Sequence, residues 1–114
     1  GLSGVARIDD NTLAIIERDK GIGADDALLK RVYAVDISGV SPVAGGEIPV
    51  VSKTLMADLV PMLNAFNGVT VEKVEGITVT ADGHLFIVND NDGAQDSTGE
   101  TLLLNLGPVS TMMN

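Results

Sequence analysis

The sequence contains no cysteine and no tryptophan, a single histidine, and aromatic residues at only 3% of its 114 positions. Without cysteine there are no disulfides, no thiolate zinc sites and no cysteine nucleophile, and the redox compartment stays open. One imidazole and no thiol leave almost no candidates for a nucleophile–base pair. None of the serines sits in a Gly-x-Ser-x-Gly elbow, so hydrolase-fold chemistry of that kind is unsupported. Basic residues are also few, 7 Lys and Arg against 16 Asp and Glu, for a net charge of −9. Such a surface repels a phosphate backbone, which argues against a nucleic-acid partner. No apolar run approaches the roughly 20 residues that span a bilayer, so no membrane segment is expected.

What remains is a globular composition: 45% hydrophobic residues for one small domain, and 13 glycines for its turns. With so few aromatics the core must be built from Val, Ile and Leu. The start at Gly1-Leu2-Ser3 reads as a processed or cut end, compatible with a removed export signal.

Strand signals dominate. They fall at Val5 to Ile8, Leu13 to Ile16, Arg31 to Ile37, Ile48 to Ser52, Ile77 to Thr80, Leu85 to Val88 and Leu102 to Leu106. One segment departs from this: Leu55, Met56, Leu59, Met62, Leu63 and Phe66 recur at helical spacing. Pro61 suits a first turn, which places the helix start near Leu59, and Asn67-Gly68 supplies a stop.

The chain repeats itself. "SGVARIDDNTLAIIERDKG" (3–21) aligns without a gap on "EGITVTADGHLFIVNDNDG" (75–93), so Gly4 meets Gly76, Leu13 meets Leu85 and Gly21 meets Gly93. Each copy reads strand, tight turn, strand, polar loop, strand. Sequential four-stranded antiparallel units are the pattern of propeller blades. The expected fold is therefore all-β with one short helix, β-propeller-like, about one and three-quarter blades of a larger propeller. Residues 1–53 would form a four-stranded blade, 54–68 a helical insertion, and 69–114 a second, incomplete blade. Open sheet edges in such a piece predict self-association.

The chemistry concentrates where the two copies differ. Asp90 and Asp92 project to one side of a strand. With Glu75 they read as ligands for a hard cation such as calcium, which takes six to eight oxygens. The competing reading is a solvated strand exit rich in turn formers. The segment is not an EF-hand: with Gly93 at loop position 6, Val88 falls at position 1 and Gly99 at position 12. Glu17-Arg18-Asp19 reads as an internally paired ion cluster. His84 reads as an exposed turn residue. No catalytic residue is assigned.

"LAIIERD" (13–19), "RVYAVDIS" (31–38), "VEKVEGITVTADGHLFIVNDND" (71–92) and "ETLLLNLG" (100–107) resemble the phytase-like family, the group described as esterase-like activity of phytase. The resemblance implies a six-bladed propeller, a bacterial protein with a periplasmic or secreted address, and metal-assisted hydrolysis of a small-molecule phosphate or carboxyl ester. A phosphate-rich substrate calls for Lys and Arg clamps; only Arg18 and Lys20 stand beside a repeat's strand exit. The alternative is a non-catalytic propeller module that binds or scaffolds.

Overall fold

A computed structural model describes residues 1–67, 71, 73–91 and 101–113. Among these, seven strands form two antiparallel sheets. β1 (Leu2–Arg7), β2 (Thr12–Arg18), β3 (Lys30–Asp36) and β4 (Lys53–Asp58) pair in chain order to make the first. β5 (Val74–Val79), β6 (His84–Asn89) and β7 (Leu103–Pro108) make the second. A single helical turn, α1 (Gly23–Asp26), precedes β3, and α2 (Val60–Asn67) links the sheets. A 3-10 turn, Val109–Thr111, follows β7.

The repeat survives at the level of register. Gly4 pairs with Ile16 and Leu2 with Glu17, so Ser3 is an extra residue bulging from β1. Gly76 pairs with Val88 and Val74 with Asn89, so Glu75 bulges at the same place in β5. The turns match as well. The amide of Ile8 donates to the carbonyl of Thr12, and that of Thr80 to the carbonyl of His84, each at 2.9 Å. Gly83 has φ +84° in the second turn, a conformation that costs an L side chain about 1 kcal/mol or more.

Two sequence expectations are corrected here. The fourth strand is Lys53–Asp58, not Ile48 to Ser52. Pairing Val32 with Ala57 buries Ala57 in the core, whereas Pro49 has no amide to donate and Val50 is 96% exposed. Leu55 and Met56 consequently belong to β4 rather than to the helix, although Met56 still packs against the core. The helix begins at Val60 with Pro61 in its first turn, and Asp58 Oδ1 accepts from the Val60 amide at 3.3 Å. Eight residues are too few to hold a helix alone in water. Burying Leu59 and Leu63 completely, at roughly 1.5–3 kcal/mol each, is what fixes this one.

The core lies between the sheets. Ala14, Ile16, Val32 and Ala57 face it from the first, and Val74, Leu85, Ile87 and Leu104 from the second. β1 runs against β5 at this junction, placing the two bulges side by side.

Candidate functional site: the strand exits at the sheet junction

The bulges reach across the junction in opposite directions. Ser3 Oγ donates to the carbonyl of Val74 at 2.7 Å. Glu75 Oε1 accepts from the guanidinium of Arg18 at 2.5 Å. Both positions avoid the strand interior because the extra residue of a bulge is released from the ladder. Gly4 is required beside them: a Cβ there would stand 2.5 Å from the carbonyl oxygen of Glu75.

Next to this pair, Asp19 organises the loop between β2 and β3. Its Oδ2 accepts from the amides of Leu28 and Leu29, each at 2.8 Å. Its Oδ1 accepts from Lys30 Nζ at 3.0 Å. Lys30 is completely buried, so the carboxylate is its charge partner in a place where solvation is absent. Partial burial pushes the Asp19 carboxyl up. The Lys30 hydrogen bond and the two amides outweigh that and hold it down at about 2.

The cluster Glu17-Arg18-Asp19 does not pair internally as expected. Neighbouring strand residues point to opposite faces, so each finds a distant partner: Glu17 with Lys53, Arg18 with Glu75, Asp19 with Lys30. Lys53 also lies over the ring of Tyr33, 4.4 Å from its centroid.

Of the predicted cation ligands, Glu75 and Asp90 are described and Asp92 lies outside the described residues. The Asp90 amide donates to the carbonyl of Lys73 at 2.7 Å, which leaves Asp90 exposed just past the end of β6. Asn89, which stands where the first repeat has Glu17, is buried, and its Oδ1 accepts from the Leu102 amide at 2.6 Å. Among the described residues no three Asp, Glu or His side chains converge on one point. Glu75 is already engaged by a cation, and Arg18 opposes a metal ion beside it. These described ligands alone do not fit calcium.

His84 opens β6 rather than sitting in the turn, and its Nδ1 lies 3.1–3.2 Å from the side-chain amide of Asn105. That end of the sheets also carries a cleft of about 710 Å³ with an acidic rim, Asp9, Asp10 and Asp36, over Met56, Met112 and Met113. Asp9 is held below the usual carboxylate range by the Asn11 amide, and Asp36 by Ser38. These are turn-forming hydrogen bonds. The cleft is at the opposite end of the strands from Glu75, and no imidazole lines it.

Sequence reasoning placed Arg18 beside a strand exit but missed its partner, and missed Lys30 altogether. Glu75 lies 57 positions from Arg18, and no local pattern encodes such a pairing.

Two antiparallel meanders with the same bulge, the same turn hydrogen bond and a shared junction define a tandem-repeat all-β protein. A family profile described as phytase-like, esterase-like activity of phytase, matches residues 1–93. The chain belongs to that family. No curated protein and no solved structure matches it significantly.

Proposed function

We propose that this chain is part of an ester hydrolase acting on small phosphate or carboxyl esters, with the strand exits at the sheet junction on the substrate side. The observation that carries this reading is the family match over residues 1–93. Of the elements that carry the resemblance, Glu75-Gly76 and Asn89-Asp90 lie at those exits, while Asp82-Gly83 forms the turn at the other end of the strands. Arg18 is the side chain there suited to an ester's oxyanion, since a guanidinium presents paired donors to phosphate or carboxylate oxygens. Glu75 holds Arg18 in place until substrate competes for it. A calcium role rests on the sequence pattern of Glu75, Asp90 and Asp92, and it requires Glu75 to leave Arg18. The setting is periplasmic or extracellular.

A second reading is a propeller module that binds or scaffolds without catalysis. It is favoured by the engagement of Glu75 with Arg18 and by the distance of the lone imidazole from both. Hydrolysis of p-nitrophenyl phosphate and p-nitrophenyl acetate, with and without EGTA, separates the two. Turnover that Arg18→Met reduces at least tenfold supports the hydrolase. Turnover untouched by EGTA removes the calcium role, and no turnover of either ester leaves the binding module.

A further inference from the structure

The seam between the two sheets does not close at its turn end. On the junction side of the first sheet, Ile16 pairs with Val32, and both are fully buried. The same rows continue through Ala14 paired with Ala34 and end at Thr12 paired with Asp36, while Thr54 pairs with Ala34 on the next strand. These short side chains leave room between the sheets, and Met112 and Met113, which follow β7, line the space with them. The cleft of about 710 Å³ is therefore an interior seam left unfilled, of a size that suits a small organic ligand.

Its two parts differ in chemistry. Three of the chain's four methionines, Met56, Met112 and Met113, line it, and their flexible thioethers adapt to an apolar body. The rim is acidic, and neither Lys nor Arg lines the cleft. Asp10 is paired with Arg7, whereas Asp9 and Asp36 form no ion pair among the described residues. The floor accepts apolar surface, and the rim selects a positive head over a negative one.

The loop between β3 and β4 supplies a separate observation. It leaves the cleft at Ser38 and returns to it at Ser52, since both serines line it. Between them residues 39–51 are exposed, and among the described residues 41–51 form no hydrogen bond to the rest of the protein. Yet the loop is apolar: Val43 is 51% exposed, Ile48 78% and Val50 96%. Gly45 and Gly46, at φ +126° and +78°, turn the chain at its tip. A loop tethered at both sides of the cleft is long enough to lay Ile48 and Val50 across it, at roughly 3.3 Å per extended residue. Contiguous exposed apolar surface of this kind marks a place where something is bound.

We propose that this cleft binds a small organic molecule with a primary ammonium head and an apolar body, and that loop 39–51 closes over it. The head donates to the carboxylates of Asp9 and Asp36, the body lies on the methionines, and Ile48 and Val50 cover it. The site lies at the opposite end of the strands from Arg18 and Glu75, and the inference is independent of the function proposed above.

Hexylammonium is the probe, with hexanol and hexanoate as controls. In protein labelled with 13C at the methionine methyl groups, hexylammonium should move the signals of Met56, Met112 and Met113. The signal of Met62, on α2, should stay in place. Hexylammonium should bind at least about fivefold more tightly than hexanol, and hexanoate should not bind. Asp9→Asn combined with Asp36→Asn should weaken hexylammonium about tenfold and leave hexanol unchanged, because Asn keeps an oxygen for each turn. The chain has no tryptophan, so Val50→Trp supplies a single reporter, whose emission should shift to the blue as the loop closes. Ile48→Ser combined with Val50→Ser, both exposed positions, should weaken binding about fivefold. Absence of movement at the three methionines overturns the proposal, as does equal movement at Met62. Hexanol binding as tightly as hexylammonium overturns the role of the rim. An unshifted Trp emission at saturation, or undiminished affinity in the serine pair, overturns closure of the loop.

Discussion

Replacing Asp19 by Asn tests how the strand-exit loop is held. The carboxylate accepts the Leu28 and Leu29 amides and the Lys30 ammonium, and Lys30 is fully buried beneath it. Asn keeps one oxygen and turns an NH2 group toward donors, so part of the set is lost and Lys30 loses its countercharge. The carboxyl is lowered from 3.8 to about 2, which at about 1.4 kcal/mol per pH unit corresponds to about 2 kcal/mol of stability. Because the folded-state value is the depressed one, this contribution is present above pH 4 and lost as pH falls toward 2. Urea denaturation should therefore show Asp19→Asn about 2 kcal/mol less stable at pH 7, with the gap closing by about pH 2. Asp9, Asp36 and Asp82 are also lowered and add to the acid sensitivity of both proteins. The difference between the two curves isolates Asp19. A gap below about 0.5 kcal/mol at pH 7, or one unchanged at pH 2, would refute the account of the loop.

Two further experiments probe the junction. Gly4→Ala should cost about 2 kcal/mol by pressing a methyl against the Glu75 carbonyl and Ile16. Gly39→Ala, in open space, should stay within about 0.5 kcal/mol, and equal effects at the two sites would dismiss the close approach. A double-mutant cycle on Arg18→Met and Glu75→Gln should give a coupling of about 1 kcal/mol, since Glu75 is partly exposed. A coupling indistinguishable from zero means the pair does not tie the sheets together.

The strands, their order and their turns were readable from the sequence because strand alternation and turn chemistry are local, and because the repeat showed each pattern twice. Leu13 and Leu85 or Gly4 and Gly76 announce equivalent positions without any knowledge of packing. The misplaced fourth strand shows the limit. Ile48, Val50 and Val51 have the stronger β-propensity, yet Lys53–Asp58 forms the strand, because Ala57 opposite Val32 completes a buried row. Propensity is a property of a segment, whereas burial is a property of its neighbours.

The charges divide in the same way. The sequence by itself determined that the two copies differ at Ser3 and Glu75, and at Glu17 and Asn89. It also determined that nucleophiles and cations are scarce. Only the tertiary structure decided that Glu75 answers Arg18, that Asp19 answers a buried Lys30, and that the first repeat buries Ile16 where the second buries Ile87, the counterpart of Ile15. A pairing across 57 residues, or the choice of which sheet face is covered, depends on how the chain returns upon itself in space, and no short window of sequence carries that information.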